Sequence, residues 1–84
     1  MKPIRLTHHA REQAAERGAT EAEVRVAVER GARESAKLGR ILCRYNVPLD
    51  AVWAGQHYAI KQVAPVIREE SKEIVVITVY TFYF

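Results

Sequence analysis

Residues 74–84 read Ile-Val-Val-Ile-Thr-Val-Tyr-Thr-Phe-Tyr-Phe and form the clearest strand signal in the chain. Every residue in this stretch is β-branched or aromatic and none is charged, a composition typical of strands. Side chains alternate between the two faces of a strand, so the odd-numbered residues 75–83 are expected on one face and the even-numbered residues 74–84 on the other. Both sets are largely apolar, which predicts a central strand covered on both sides.

Shorter strand signals precede this one along the chain. Residues 40–46 alternate in polarity, residues 51–54 form a short apolar run, and residues 58–63 form another that extends toward Ile67. The intervening residues 47–50, which include a proline, are predicted to be a loop. Pro65 has no amide hydrogen to donate to a neighbouring strand, so we expect an edge or a bulge at that position.

Two helices are predicted ahead of these strands. Thr7 is a suitable N-cap for a helix over residues 8–17, and Gly18 is placed to end it. The sequence Thr20-Glu-Ala-Glu23 forms a capping box for a second helix, which Gly31 closes. The buried stripe of this second helix is predicted at Val24, Ala27 and Val28.

These elements predict one α+β domain over residues 1–84. The two N-terminal helices are expected to pack on a curved antiparallel sheet of three to four strands. Ile4 and Leu6 alternate with polar residues, so this segment is either a short edge strand or an anchored arm. Since two helices cover one sheet face only, the other face is expected to be closed in part by curl of the sheet, by a ligand or by a partner.

Composition narrows the class of protein. Cys43 is the only cysteine, so an internal disulfide is impossible, and we expect this residue to be a small buried hydrophobe. The N-terminus lacks the apolar region of a signal peptide, and no stretch approaches the roughly 18 apolar residues of a membrane helix. The protein is therefore expected to be cytoplasmic, with no membrane partner.

The positive charge is unevenly distributed. The formal net charge is only +3, but residues 35–68 carry five basic side chains against Asp50 alone. One interpretation is an ordinary solvated surface. The other is a face that binds a polyanion, above all a nucleic acid.

A metal site is not expected from the sequence. Of the three histidines, His8 and His9 are adjacent, and adjacent side chains on a helix point about 100° apart. Neither an HExxH pattern nor a zinc-like cysteine and histidine spacing is present. We expect no metal and no cofactor.

The remaining candidate chemistry is metal-independent. His9 lies in the first turn of the first helix, and Gln13 and Arg17 follow on roughly the same side. RNA cleavage without metal needs a base for the 2′-hydroxyl proton, a cation for the charged phosphorane and an acid for the leaving 5′-oxygen. Histidine moves protons near neutral pH and arginine binds phosphate. Side chains expected to reach the same cleft from the sheet are Arg44, Lys61, Thr78 and Tyr80.

Each of these residues also has a purely structural interpretation. His9 is then a surface residue early in a helix, and Arg17 complements the dipole at the helix C-terminus. Tyr80 is then part of the core. Trp53 is interpreted as a packing anchor rather than a platform for a base.

The segment from Leu6 to Val24, LTHHAREQAAERGATEAEV, resembles the opening of a family of small bacterial domains of unknown function. That opening reads Thr-x-His-Ala, then an arginine pair, then Arg-Gly ahead of a capped helix. The family also ends in a strand similar to residues 76–80, VITVY. In layout it resembles the RelE/ParE-like and BrnT-like toxins of toxin–antitoxin pairs, within the wider barnase–colicin–RelE group of nucleases.

This resemblance implies a RelE-like fold and cofactor-free RNA cleavage on the open face of the sheet. His9, Arg17, Thr78 and Tyr80 take the positions of the family's motif residues, whereas Gln13 stands where the family often has a second arginine. The resulting catalytic prediction is His9, Arg17 and Tyr80. The predicted substrate-binding residues are Arg11, Arg44, Lys61 and Thr78.

The leading functional hypothesis is therefore a toxin-like domain of a toxin–antitoxin or related system that cleaves RNA without a metal. A second hypothesis is a non-enzymatic interaction module. Residues 81–84 end the chain with aromatics and no charge, and such a strand invites pairing with an antitoxin protein or with a second copy in a homodimer. A third hypothesis is an RNA-binding domain without catalysis.

Overall fold

The computed structural model describes all residues, 1–84, as two helices, a short 3₁₀ turn and five strands. The helices are α1 (His8–Glu16) and α2 (Glu21–Arg30), and the 3₁₀ turn is Lys37–Gly39. The strands are β1 (Ile4–Leu6), β2 (Ala32–Ser35), β3 (Ile41–Trp53), β4 (Gln56–Glu69) and β5 (Ile74–Tyr83). Neither helix has the length and the apolar run needed to cross a membrane.

Both helices begin at the predicted caps. The Thr7 side chain accepts a hydrogen bond from the Ala10 amide, at 3.0 Å. Thr20 and Glu23 form the full capping box, in which each side chain accepts from the other residue's backbone amide. Because these bonds satisfy amides that the helix itself leaves unpaired, local sequence is enough to fix where each helix starts.

The strands form one sheet in the order β1-β5-β4-β3-β2. Strand β1 runs parallel to β5, with Ile4 opposite Ile74, and every other pairing is antiparallel. The α+β class with two helices on a mostly antiparallel sheet is thus confirmed. The strand count is corrected to five, since residues 4–6 pair as an edge strand and residues 32–35, for which no strand was predicted, form β2.

The prediction of a loop at residues 47–50 is wrong, because β3 runs through them. Pro48 lies opposite Ile60 of β4, whereas β2 pairs only with residues 41–44 of β3. The other edge of β3 is therefore free at Pro48, and a proline on a free edge removes no ladder hydrogen bond. The register with β4 shifts immediately afterwards, between Pro48 and Ala51.

Pro65 lies in the central strand β4 rather than on an edge, so of the two predicted alternatives the structure favours the bulge. It pairs with Val79 of β5, and its side chain is fully buried. The register between β4 and β5 shifts between Val66 and Ile67. The irregular pairing therefore lies directly after the proline, as a bulge within a central strand.

This bulge also changes which residues of β5 share a face. Val66 pairs with Thr78 and Ile67 pairs with Val76, so Ile77 is the extra residue. Strict alternation holds on either side of Ile77 but fails across it. Val76 and Val79 consequently both belong to the core beneath the helices. Beyond the bulge, the even-numbered residues 78–82 face away from the helices, on what we call the open face.

The core lies between the helices and the sheet. It contains small residues of α1 and α2, which permit close approach, packed on branched residues of the strands; Cys43 is buried there as predicted, and burial raises the pKa of its thiol. The buried members are Leu6, Ala10, Ala14, Ala19, Val24, Ala27, Val28, Cys43, Val63, Ile67, Ile74, Val76 and Val79.

Gly18 is required where α1 turns toward α2. Its φ is +79°, and a Cβ at this position would lie 2.6 Å from Tyr83 Oη and 2.7 Å from a ring carbon of Trp53. Trp53 stacks on Tyr83 with ring centroids 5.0 Å apart, so the tryptophan anchors packing.

We expect Gly18→Ala to lower the free energy of unfolding by about 2–3 kcal/mol, since it adds a steric clash to the cost of a left-handed alanine. Gly55→Ala is the matched control, because Gly55 has a similar φ of +82° and open space around it. Urea unfolding of both variants measures the difference. Equal losses would contradict the close contact at Gly18.

Candidate functional site

The N-terminus of α1 is fixed against β5 by Thr7. The Thr7 amide donates to the Val76 carbonyl at 3.1 Å, and its hydroxyl donates to the Ile77 carbonyl at 3.3 Å. Strand β1 ends one residue earlier, so α1 starts beside the bulge of β5. This places His9 Nε2 at 3.3 Å from Thr78 Oγ1, on an exposed surface.

Arg17 follows two helical turns later and is fixed against the same strand. Its Nη1 donates to the Val79 carbonyl at 2.7 Å, and its Cζ lies 5.1 Å from the centre of the Tyr80 ring. The Arg17 carbonyl in turn accepts from Thr81 Oγ1, at 2.9 Å, and from the Tyr83 hydroxyl. The Nε and Nη2 donors of Arg17 have no protein partner, so the guanidinium is held in place yet able to bind an anion.

The structure thus brings together four of the residues singled out from the sequence, which we call the His9 corner: His9, Arg17, Thr78 and Tyr80. Two come from opposite ends of α1 and two from one face of β5. Thr78 and Tyr80 are neighbours on that face because the bulge at Ile77 precedes both of them. Without the bulge, residue 78 would lie on the same face as Val76, beneath the helices.

A cleft of about 360 Å³ opens next to the His9 corner. Its floor is the open face of the sheet, and its wall is the segment that precedes β3, which folds over that face. The lining residues are Ala36, Lys37, Leu38, Arg40, Leu42, Val66, Thr78 and Tyr80. No carboxylate is among them. Leu38 is 85% exposed at the rim and has a positive φ of 62°, which is strained for leucine.

Unpaired positive charge concentrates around this cleft. Of the 13 lysines and arginines, eight form ion pairs with glutamates. The remaining five are Arg17, Arg30, Lys37, Arg40 and Lys72. Two of these line the cleft and a third, Arg17, lies on the ring of Tyr80. Because nothing in the protein neutralises these three cations, the cleft attracts anions.

Arg44 also lies over the open face, farther along β5. Its Nε pairs with Glu34 at 2.9 Å, its Nη1 donates to Gln62 at 2.9 Å, and its Cζ lies 5.4 Å from the centre of the Phe82 ring. It does not line the cleft, and it already has an acidic partner. Its predicted role in substrate binding stays a prediction.

Lys61 does not reach the cleft, so the expectation that it projects there is wrong. It points to the helix side of β4 and is only 6% exposed. Its Nζ donates to the Gly18 carbonyl and to Glu23 Oε1, each at 2.8 Å. Burial raises the pKa of Glu23, but hydrogen bonds from Lys61 and Thr20 outweigh this and hold the pKa below its usual value. The pair serves to fasten the turn between the helices to the sheet.

Arg11 is likewise outside the His9 corner. Its guanidinium pairs with Glu21 of α2, beside a smaller hollow lined by Leu6 and Ala14. Residue 11 is two positions from His9 and therefore lies about 200° around α1. Its predicted contact with a substrate in the cleft is not supported by this placement.

Lys37 and Arg40 were missed as site residues. The sequence carried a signal for them, since both belong to the basic segment 35–68. The sequence does not show that residues 36–40 cross the open face. This path brings Lys37 and Arg40 opposite Thr78 and Tyr80. Nowhere in the chain do three histidine, cysteine, aspartate or glutamate side chains approach closely enough to hold a metal ion.

Comparison with protein-family models, curated proteins and solved structures found no match. The resemblance to toxin-like domains therefore stays a prediction from the motif residues. The functional argument rests on the geometry of the His9 corner and on the charge of the cleft.

Proposed function

We propose that this protein is a toxin-like endoribonuclease that cleaves phosphodiester bonds of RNA without a metal ion. The observation that carries the proposal is the His9 corner itself. A histidine and a partly unpaired arginine, eight residues apart, meet a threonine and a tyrosine of β5 at the edge of a cleft without carboxylates. A proton-transfer group and an anion-binding group thus lie against alternate residues of one face of β5, Thr78 and Tyr80.

In the proposed reaction, His9 removes the proton of a ribose 2′-hydroxyl, and the resulting oxygen attacks the adjacent phosphorus. The free donors of Arg17 stabilise the negative charge of the phosphorane. The bond to the 5′-oxygen then breaks, and Tyr80, whose ring lies against Arg17, is the proposed proton donor. Thr78 orients the His9 ring through Nε2. The products are a 2′,3′-cyclic phosphate and a 5′-hydroxyl.

The RNA backbone is proposed to lie along the cleft. Lys37 and Arg40 bind phosphates on the wall, opposite Thr78 and Tyr80. An activity of this kind arrests growth when unrestrained, which supports a place in a toxin–antitoxin or related system with an antitoxin as protein partner.

Purified protein incubated with a 5′-labelled, single-stranded RNA 30-mer in EDTA tests the proposal. We expect fragments that end in a 2′,3′-cyclic phosphate, and no cleavage of an all-2′-deoxy strand of the same sequence, because that strand lacks the attacking hydroxyl. Controlled expression in a bacterial host should arrest growth and degrade RNA. An intact RNA 30-mer together with normal growth would overturn the assignment.

One observation favours a second candidate, a protein-interaction module. Strand β1 covers only residues 74–76 of β5, so the outer edge of β5 from Thr81 onward has no strand partner. An added strand from an antitoxin or from a second copy fits such an edge. Intact RNA combined with concentration-dependent dimerisation in the same preparation would favour this candidate.

A further inference from the structure

Three aromatic side chains form a row on the open face, which we call the aromatic stripe: Tyr80, Phe82 and Phe84. They are 44%, 43% and 56% exposed, although large aromatics are usually more buried. Phe84 follows the end of β5 but continues its path, since its amide and carbonyl both bond Ile60 of β4, at 3.0 and 2.8 Å. The rings therefore repeat every second residue along an extended backbone.

Two of these rings carry a fixed guanidinium. Arg17 lies over Tyr80 and is held by the Val79 carbonyl. Arg44 lies over Phe82 and is held by Glu34 and Gln62. Tyr80 and Phe82 are each still more than two-fifths exposed as residues despite these contacts. Each offers an apolar ring beside a guanidinium, and that of Arg17 has no acidic partner. An aromatic ring beside a cation is the combination that binds a nucleobase and its phosphate together.

The spacing of the stripe selects the form of nucleic acid. Alternate residues of a strand lie about 6.8 Å apart, whereas stacked bases along one strand of a duplex lie about 3.4 Å apart. Bases that stack on successive rings must therefore be separated from one another. Unpaired nucleotides can do this, while the bases of a duplex are occupied by their neighbours.

We propose that the aromatic stripe is a base-stacking platform for two to three nucleotides of single-stranded nucleic acid. The stripe begins at Tyr80 in the His9 corner and runs away from it, so it holds the nucleotides that flank the reacting linkage; in this respect it rests on the proposed function. Arg17, Lys37 and Arg40 supply the charge that attracts the backbone. Because every base has an aromatic face, binding is tolerant of sequence.

Fluorescence anisotropy with a labelled 12-mer of oligo(dT) tests this platform separately from cleavage, since DNA has no 2′-hydroxyl. We expect the wild type to bind the single strand at least tenfold more tightly than the same strand in a duplex with oligo(dA). Phe82→Ala and Phe84→Ala should each weaken binding roughly five- to a hundredfold. Phe82→Trp should keep it within about threefold.

Phe82→Leu is the deciding control, because leucine keeps an apolar side chain but has no aromatic face. Weakening equal to that of Phe82→Ala supports stacking. Wild-type affinity in the leucine variant, equal binding of duplex and single strand, or no binding by the wild type would each overturn the platform. Self-association that Phe82→Ala abolishes and Phe82→Leu preserves would assign the stripe to a second copy, and would also overturn it.

Cleavage of the RNA 30-mer by the same variants separates this inference from the proposed function. Binding that depends on the aromatic stripe, without cleavage, supports the platform and contradicts the proposed nuclease function. Cleavage at the wild-type rate by both Phe82→Ala and Phe84→Ala contradicts the platform and supports the proposed nuclease function. Thermal melting checks that the variants remain folded, which their exposed positions allow.

Discussion

His9→Ala is expected to lower the rate of RNA cleavage by about 10²- to 10⁴-fold, the usual contribution of a positioned general base. The stability of the fold should change little, because His9 is exposed and its one side-chain hydrogen bond is with Thr78. The cap of α1 depends on Thr7 and stays intact. Initial rates on the labelled RNA 30-mer, with melting curves for both proteins, measure the effect.

His8→Ala is the matched control for this prediction. His8 is the adjacent residue on the same helix, and its side chain is 89% exposed and pairs with Glu12 rather than with β5. It should cleave RNA and arrest growth as the wild type does. Equal activity of the His9 variant and the wild type would remove His9 from the mechanism, and an equal loss in both variants would point to helix stability instead.

Lys61→Ala is expected to lower the free energy of unfolding by about 3–4 kcal/mol, the largest stability effect among these predictions. The substitution removes the ammonium that donates to the Gly18 carbonyl and to Glu23 Oε1. The Glu23 carboxylate keeps the Thr20 amide as a donor but loses its cation, beneath the turn that joins the helices. It also opens space next to the core. Urea denaturation at pH 7 measures the loss.

Two further variants identify the source of that loss. Lys72→Ala removes an exposed, unpaired lysine from the turn before β5 and should change stability by less than about 0.5 kcal/mol. Lys61→Met keeps the aliphatic packing and removes only the ammonium, so it should lose most of the same stability. If the methionine variant is as stable as the wild type, the hydrogen bonds of Lys61 contribute nothing and packing alone matters.

The contribution of the Lys61–Glu23 pair should depend on pH. The folded-state pKa of Glu23 lies below its usual value of about 4.3, so its ionised form favours folding. That stabilisation is present above this usual value and is lost as the pH falls through the lowered folded-state pKa. The gap in stability between the wild type and Lys61→Met should therefore narrow between pH 5 and pH 3. Other carboxylates with lowered pKa values, Glu69 and Glu73, are present in both proteins and cancel in the comparison.

The sequence by itself determined the features that depend on near neighbours. Thr7 and the Thr20–Glu23 box set both helix starts, because a cap satisfies amides within three residues of itself. The composition of residues 74–84 determined the last strand. Spacing along α1 was sufficient to put His9 and Arg17 on one side of it, where both now contact β5.

The tertiary structure decided the features that depend on distant pairing. Pro48 remains in a strand because β2 ends before it and leaves that edge of β3 free. The residues near Pro48 do not predict where β2 ends. The bulge at Ile77 depended on how β4 pairs with β5, and it sent Thr78, Tyr80 and Phe82 to the open face. The charge of Lys61 by itself indicates a residue that binds an anionic substrate. Its place under the helices followed from a partner 38 positions away in the chain, Glu23, whose carboxylate compensates the burial of the ammonium.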